Sequence, residues 1–533
     1  MDARPLAEQI LSRLSELVSA RVLHEQVWRD CYDMSFPLRG DGFQGEVIDA
    51  ATGQSKRAQL LDGTSTDAGN LLAASLMSGL TPANALWAEL YVSDATDEEE
   101  RWLHDSSVTL WELIHASNYD AAGLECMLDM VAAGWFGLYV DEHPTDLGLH
   151  FEQWPISQLY CASSIPGGPI DIVYRQYQNT AMQVVTEYGD KASQTVRDLA
   201  EKSPQKLVPL VRAIYPRKVY QVGAKMGRNK KFASCTLERD TKHILRESGY
   251  DEMPCIVPRW TLLPNSVYAV GPMFDALPDV RELNDLVYLE KAGIEMAVTP
   301  PLKVVDDGVV NARSVKIGPR KMIVVNSMDS IEPLYDGARI DIAWTAKDQL
   351  QKAVRRTLMA DQLQPQDGPA MTATEVHIRM QIIRQLLGPR YGRMQAEFLN
   401  TLVQRTFGIA LRMGRFDPMP DSLMSKVAGV RYLSPLARAQ QLEEVTATER
   451  LFANAGAMMA VKPDVADMLD GDEALRSMGK ALGVPSKVMR SVDDVASLRQ
   501  MRAEREAQMA QAAAMQPVIE EGGKALVQQA IGV

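Results

Sequence analysis

The chain has 533 residues, of which 46% are hydrophobic and 23% are charged, and its formal net charge is -13 at pH 7. This composition is typical of a folded globular protein, long enough for about two to four folding units, and it excludes a disordered chain. The negative balance argues against tight binding of duplex nucleic acid over the whole surface, because Lys and Arg contacts to phosphates supply most non-specific affinity.

The cysteine pattern and the hydropathy pattern indicate a chain that folds in a reducing cytoplasm. The five cysteines are far apart and never have a Cys-x-x-Cys spacing, which predicts neither a disulfide framework nor a zinc site. No apolar run approaches the ~20 residues that a membrane-spanning helix needs. The amino-terminal sequence MDARPLAEQILSRLSEL predicts an amphipathic helix with acidic residues, unlike a signal peptide.

The first half of the chain predicts one mixed α+β domain. Apolar residues at helical spacing, with Pro and Gly at the ends, predict helices over residues 5–35, 63–80, 97–117, 120–133, 181–188 and 193–202. Short aromatic and β-branched segments predict strands within residues 84–93, 135–178 and 210–258. The polar turn AKMGRNKKF carries Lys225, Arg228, Lys230 and Lys231, which fits either a solvated hairpin or a contact to nucleic acid.

Two long helices around a β insert follow between Asp275 and Thr372. In the first, Val280, Leu283, Val287, Ile294 and Val298 recur on one helical face, and two prolines end the helix after Val298. The second covers residues 341–361, and about 40 residues of strand and turn character separate the two. Helices of ~20 residues span ~30 Å, so the pattern predicts a rod with a small β module at its tip.

A further long helix is predicted from Thr372, which forms a capping box with Glu375. At Gly388 and Pro389 we expect a kink in this helix and not its end. It carries six arginines, and their expected partners are the acidic residues of the helix at 275–298. The arginines are Arg379, Arg384, Arg390, Arg393, Arg405 and Arg412. Residues 434–533 predict helices alone.

Catalytic motifs are missing from the sequence. Gly522, Gly523 and Lys524 lack the other residues of a phosphate-binding loop, and Trp28 stands where a zinc-protease helix starting at His24 needs its second histidine. No Gly-x-Ser-x-Gly elbow occurs. We therefore predict no enzyme activity, no metal and no cofactor.

Three long segments resemble the portal, or head-to-tail connector, proteins of short-tailed, podovirus-type bacteriophages. They are DGTSTDAGNLLAASLMSGLTP, YAVGPMFDALPDVRELNDLVYLEKAGIEMAVTPPLKV and MTATEVHIRMQIIRQLLGPRYGRMQAEFL. The resemblance extends from about residue 5 to residue 440. It implies a mainly helical α+β portal fold, assembled as a ring at one capsid vertex, usually of twelve subunits, with double-stranded DNA passing through the centre.

The resemblance also implies a division of the chain into the parts of a portal subunit. These are a wing at 1–274, a first stem helix at 275–298, a clip at 299–340, a second stem helix at 341–361, a tunnel loop at 362–371, a kinked helix with the wing return at 372–433, and a helical crown at 434–533. The expected partners are further copies of the chain, the terminase large subunit, the tail adaptor, the major capsid protein and the scaffolding protein. The expected location is the virion, after assembly in the host cytoplasm.

Specific residues follow from this division. The loop DQLQPQDGPAM has no cation and no aromatic residue, so it is either an ordinary surface loop or a DNA-facing loop that guides phosphates without binding them. Its DNA-facing residues would be Asp361, Gln362, Gln364, Gln366, Asp367 and Gly368. For terminase and adaptor docking at the clip we expect Arg313, Lys316, Arg320 and Lys321. For charge pairing between neighbouring stems we expect Glu290, Glu295, Lys352 and Arg355.

One alternative assignment is an internal virion or scaffold protein that assembles through helices without enclosing DNA. Another is a soluble enzyme with a site built from dispersed carboxylates.

Overall fold

The computed structural model describes residues 5–43, 49–93, 95–143, 148–221, 223, 225–298, 302–304, 331–333, 340–363, 388–425, 429–432, 445, 447–456, 470–482 and 494–507. Its contacts divide the chain into two units. Unit 1 consists of Met1–Ala88 and Val108–Asp417, and unit 2 consists of Glu89–Ser107 and Pro418–Val533.

The α-helices are α1 (Leu6–Asp33), α2 (Ala50–Gln59), α3 (Thr64–Leu80), α4 (Asp97–His115), α5 (Tyr119–Ala133), α6 (Ala181–Tyr188), α7 (Gln194–Lys202), α8 (Pro272–Val298), α9 (Ile340–Thr357), α10 (Ala360–Leu363), α11 (Pro389–Met394), α12 (Asn400–Arg412) and α13 (Gly471–Leu482). A π-helical turn, Gln395–Leu399, joins α11 to α12.

The strands are β1 (Ala88–Tyr91), β2 (Gly137–Glu142), β3 (Leu149–Trp154), β4 (Leu159–Ala162), β5 (Ile172–Thr180), β6 (Leu207–Pro216), β7 (Phe232–Glu238), β8 (Ile244–Tyr250), β9 (Cys255–Ile256), β10 (Thr261–Leu262), β11 (Ala269–Val270), β12 (Leu302–Val304), β13 (Ile331–Pro333) and β14 (Gly429–Tyr432).

Unit 1 is built on a five-stranded antiparallel sheet of order β4-β5-β6-β7-β8. Because side chains alternate along a strand, β6 serves both faces of this sheet. Val211 and Ala213 pack with Leu14 of α1 in one core cluster. Val208 and Leu210 belong to a second cluster with α6 and α7. The neighbouring interior strand β7 is buried along its whole length.

A smaller antiparallel sheet, β3-β2-β9, packs against α5. Beside it the indole of Trp28, fully buried on α1, donates a hydrogen bond of 3.0 Å to the Ala269 carbonyl of β11. Helix α5 ends at Gly134, whose φ of 84° is a left-handed conformation that ends helices well. A Cβ there would also overlap the backbone of Val270.

In unit 2 the strand β1 pairs with β14. The Leu90 amide donates to the Ser107 hydroxyl at 2.9 Å, and the Arg431 guanidinium lies 5.0 Å from the centre of the Tyr91 ring. Helix α13 and the helical residues 494–507 are linked by an ion pair between Asp472 and Arg499.

The α+β class with mostly helical content is confirmed, and most helices begin and end within a few residues of their predicted bounds. Helix α2 was not predicted, although Asp49 caps it by accepting a 2.7 Å hydrogen bond from the Thr52 amide. The second rod helix is also shorter than expected. It stops at Thr357, because Met359 takes a positive φ of 58°, and the short helix α10 follows.

The predicted kink at residues 388–389 is wrong. Gly388 has φ 45° and ψ -126°, which is not a helical conformation, so a helix begins at Pro389 and does not continue through it. Proline is favourable at the first helical position, because it lacks the backbone N–H that would have no partner there. The predicted helix start at Thr372 and Glu375 lies outside the described residues.

Candidate assembly surface

One apolar face of α8 packs against other helices of the same chain. Val280, Leu283 and Val287 are buried, and α8 packs against α1, α5 and α9. Ile294 and Val298, predicted on the same face, are exposed nearer the end of the helix. Helices α8 and α9 form a pair that we call the α8–α9 hairpin, and the buried part of this face anchors it to the rest of unit 1.

Glu290 connects the two helices of the hairpin. Its carboxylate accepts a 2.7 Å hydrogen bond from the Trp344 indole and a 3.0 Å hydrogen bond from the Lys347 ammonium of α9. The Glu290 side chain is only 10% exposed. In the single chain this carboxylate is thus already paired across the hairpin.

Polar contacts fix the base of the hairpin to the segment before α3. Asn284 accepts a 2.7 Å hydrogen bond from the Leu61 amide, and its own amide group donates to the Gln59 carbonyl at 3.1 Å. From α9, Gln351 donates to Asp62 at 2.8 Å. Burial opposes ionisation of Asp62, but hydrogen bonds from Thr64 and Gln351 outweigh it and lower the pKa of this carboxyl.

A second apolar stripe runs along the outside of α8. Its members recur at helical spacing and lie within an arc of about 60° at ~100° per residue. We call them the outer stripe: Phe274, Pro278, Leu289, Ala292 and Met296. Leu289 is 64% exposed and Met296 56% exposed, and Tyr288 borders them. Exposed Asp285 lies on the same face.

The outer face of α9 has a different chemistry. Trp344, Asp348, Lys352 and Arg355 follow one another at spacings of four, four and three residues, which places them on one side of the helix. The Trp344 ring is 62% exposed although its indole nitrogen is bonded to Glu290. Lys352 pairs with Asp348 at 2.6 Å, and both side chains are well exposed.

The predicted functional residues are distributed unevenly in the structure. Glu290, Glu295, Lys352 and Arg355 all lie on the hairpin, and Glu295 is exposed. Asp361 is exposed on α10, where Gln362 also belongs to the helix, so the described part of the predicted tunnel loop is helical up to Leu363. The remaining predicted residues lie outside the described part of the chain: Gln364, Gln366, Asp367, Gly368, Arg313, Lys316, Arg320 and Lys321. Of the predicted clip, the structure describes the antiparallel pair of β12 with β13.

The predicted partners of the arginines in α12 are wrong. Arg405 is buried and donates to Glu252 at 3.1 Å and to the Val140 carbonyl at 3.1 Å, and Arg412 donates to the same carboxylate at 2.9 Å. Gly408 leaves the room that Glu252 needs beside the helix. These arginines join α12 to the sheets and make none of the expected contacts with α8.

The other described arginines of this segment contact Trp260. The Arg390 guanidinium lies 5.5 Å from the centre of the Trp260 ring, and Arg393 donates a 3.0 Å hydrogen bond to the Trp260 carbonyl. Arg379 and Arg384 are not among the described residues.

Within the described residues, no group of three or more His, Cys, Asp or Glu side chains is arranged to hold a metal ion. No described helix is long and apolar enough to cross a membrane. The sequence reasoning missed the outer stripe, although its signal was present. Val280, Leu283 and Val287 define one apolar face of α8. The apolar residues at 289, 292 and 296 are spaced by three and four residues and therefore define a second face.

Residues 7–489 match the family described as bacteriophage head to tail connecting protein, and the chain belongs to this family. The predicted assignment to the portal, or head-to-tail connector, proteins is thereby confirmed. This is a family of structural proteins that connect a phage head to its tail.

Two relatives with portal names align along nearly the full chain. The probable portal protein of Bordetella phage BPP-1 is 28% identical over 525 residues, which cover 95% of this chain and 92% of that protein. The portal protein of Salmonella phage epsilon15 is 27% identical over 538 residues, covering 97% and 95%. A chain from the neck of an empty GTA particle aligns with 76% of this chain and 89% of its own length, with 12% identity and a TM-score of 0.35.

Proposed function

We propose that this chain forms a ring, of twelve copies, at one vertex of a phage capsid, and that double-stranded DNA enters and leaves the head through the ring. Membership of the head-to-tail connecting family supports this role, as do two full-length relatives named portal proteins. In the virion the ring contacts the capsid protein and the tail adaptor. During assembly in the host cytoplasm it contacts the scaffolding protein and the terminase large subunit.

The observation that carries the ring is the outer stripe of α8. Leu289 and Met296 are held out of the subunit on a helix that has already buried another apolar face. Burying a Leu or Met side chain stabilises an interface by roughly 1.5–3 kcal/mol. Exposed apolar side chains grouped on one face of a helix favour a contact with another protein.

The outer face of α9 on a second copy fits this stripe. Trp344 offers an exposed aromatic surface for Leu289, and aromatic side chains are frequent anchors of interfaces. Lys352 and Arg355 carry the charge opposite to that of Asp285 and Glu295, and all four side chains are exposed. A contact between two different faces of the same protein is head-to-tail, and it closes into a ring when its rotation permits. Glu290 stabilises the hairpin within one chain, so Glu295, Lys352 and Arg355 are the pairing residues in this proposal.

In the same proposal the loop after α10 faces the DNA, and the segment between β12 and β13 receives the terminase and later the adaptor. A channel without cations adds no salt-dependent barrier to sliding DNA. The double variant Q364K/Q366K should therefore slow DNA packaging more at low salt than at high salt. Equal packaging rates for variant and wild type at every salt concentration would contradict a DNA-facing loop. The ring performs no catalysis in this account, and the terminase supplies the energy.

The ring itself is tested by the double variant L289S/M296S. Its matched control is L23S/M182S, which removes a Leu that is more exposed than Leu289 and a Met of nearly the same exposure as Met296, from α1 and α6. We expect rings with a central hole from the wild type and the control, and unassembled subunits from L289S/M296S, by native mass spectrometry and electron microscopy. Filaments or irregular assemblies of the wild type would support the scaffold alternative. Rings of normal size from L289S/M296S would refute assembly through the outer stripe.

A further inference from the structure

The turn between β6 and β7 is the most basic segment of an acidic chain. Residues 217–231, RKVYQVGAKMGRNKK, contain six Lys or Arg and no Asp or Glu, whereas the whole chain carries a net charge of -13. We call the described residues of this segment the basic tip. It lies at the opposite end of the five-stranded sheet from α6 and α7, which connect β5 to β6.

The basic tip is held in a defined shape. Its two arms are joined by backbone hydrogen bonds of 2.8 Å from Arg217 to Lys231 and from Gln221 to Asn229. The Arg217 guanidinium donates to the Gly227 carbonyl at 2.8 Å. The tip also packs closely on β8, since a Cβ on Gly249 would overlap the Gly227 carbonyl. Its exposed side chains are therefore presented from a fixed backbone.

Part of the positive charge is neutralised locally. Arg228 pairs with Glu247 at 3.3 Å and Lys230 with Asp251 at 2.8 Å. Lys218 and Lys225 are exposed, and the described residues offer neither of them a carboxylate. Two cations at the end of the tip are thus available to a partner.

Apolar side chains accompany these two lysines. Val219 is 86% exposed, Met226 is 73% exposed, and the Tyr220 ring is about half exposed. Exposed apolar groups grouped with unpaired charge indicate a protein contact. Duplex DNA fits poorly, because two phosphate contacts contribute little affinity at physiological salt. Val219 and Met226 also have no complement on a phosphate backbone.

The exposed face of α5 has the opposite charge and the same mixture of polar and apolar groups. The helix contains three carboxylates and no Lys or Arg. Asp129 is buried against Arg39, but Asp120 and Glu125 are exposed, with the exposed side chain of Leu124 beside them. One oxygen of Asp120 is 2.9 Å from the His115 ring, which leaves the other for a partner.

We propose that the basic tip of one subunit docks on the α5 face of a second copy, with Lys218 and Lys225 pairing with Asp120 and Glu125, and Val219 and Met226 covering Leu124. Charge complementarity fixes the register of such a contact. The two surfaces are different patches of one chain, so the contact is head-to-tail and compatible with a cyclic ring. It is separate from the α8–α9 hairpin and adds a second zone of contact between neighbours.

Cross-linking between introduced cysteines tests the contact directly. The double variant K225C/E125C should give covalent chains of subunits with a short bismaleimide, and each single variant should give none. K242C/E125C is the matched control, because Lys242 is also exposed but lies in the turn between β7 and β8. The five native cysteines are buried and do not compete for the reagent.

Charge reversal gives an independent reading of the same contact. K218E/K225E and D120K/E125K should each lower the cross-linking yield of a second reporter pair, V219C/L124C, by roughly tenfold, and the four changes together should restore it. The native mass of each sample distinguishes the tip contact from the contact made by the α8–α9 hairpin. Rings of V219C/L124C that form but do not cross-link refute the tip contact alone, and absence of rings from the wild type refutes the proposed function. Loss of binding to a short DNA duplex in K218E/K225E, with rings and cross-linking unchanged, would overturn the proposal in favour of a nucleic-acid contact.

Discussion

Two lysines on α9 should have separable roles, one inside the subunit and one between subunits. Lys347 donates to Glu290 across the hairpin and is about 30% exposed, whereas Lys352 pairs with Asp348 of its own helix and is 69% exposed. The variants K347Q and K352Q remove the same charge five residues apart on one helix. Because the chemical change is the same in both variants, any difference between them reflects the position of the lysine on α9.

The magnitude for K347Q follows from the contact it removes. A hydrogen bond that involves a charged group contributes about 1.5–3 kcal/mol, and partial exposure of Lys347 reduces this to about 1–2 kcal/mol. Opening of the α8–α9 hairpin should then become about tenfold more frequent. The exposed helical pair of Lys352 contributes at most about 0.5 kcal/mol, so K352Q should leave the opening nearly unchanged.

Hydrogen exchange followed by mass spectrometry measures this opening in peptides from residues 285–298 and 340–350, at concentrations where subunits are unassembled. K347Q and E290Q should lower protection in both peptides to a similar extent, because each removes one side of the same contact. K352Q should leave protection intact and lower the yield of rings. Equal hydrogen exchange in K347Q and K352Q would refute the intrachain role of Glu290. A normal ring yield in K352Q would refute the role of Lys352 between subunits.

Two further predictions concern the interior of unit 1. E252Q should lower the thermal unfolding midpoint, with a loss of about 2 kcal/mol, because it removes the negative charge that the buried Arg405 shares with Arg412 and leaves Arg405 only Asp141, at 3.3 Å. E152Q, at a half-exposed pair with Arg175, should cost less than about 1 kcal/mol. An equal shift of the midpoint in the two variants would contradict the burial argument. The five cysteine thiols should react with a thiol reagent only on unfolding, since burial raises the pKa of every one of them and holds them as unreactive thiols. Rapid labelling of any of them in the native protein would show that this part of the core opens.

Some features could be predicted from the sequence because they depend on local spacing. The apolar period of α8 placed Val280, Leu283 and Val287 on one face, and the structure buries all three, whereas Ile294 and Val298 of the same period are exposed. Capping residues and prolines placed the ends of most helices. Long-range partners could not be predicted in the same way. Nothing local to Arg405 indicates that its partner is Glu252, because that contact depends on how α12 crosses the sheets.

Local signals were also insufficient where two of them compete. At Gly388 the apolar pattern favours a continuous helix, but Gly388 is not in a helical conformation and a helix begins at Pro389. At Met359 a positive φ ends the second rod helix inside a run of good helix formers. In both places the tertiary structure decides, since packing can offset the small differences in helix propensity between residues.

The sequence by itself determined the family, the mainly helical α+β class and the two-helix rod, because these depend on long ordered segments and on hydrophobic periods. Only the tertiary structure decided which face of α8 is used within the subunit and which remains exposed. It also decided that Glu290 is bonded inside the chain. In the basic tip it pairs Arg228 and Lys230 with nearby carboxylates and leaves Lys218 and Lys225 exposed. A periodic pattern gives the direction of a side chain around its own helix, but burial and pairing depend on neighbours that are distant in sequence.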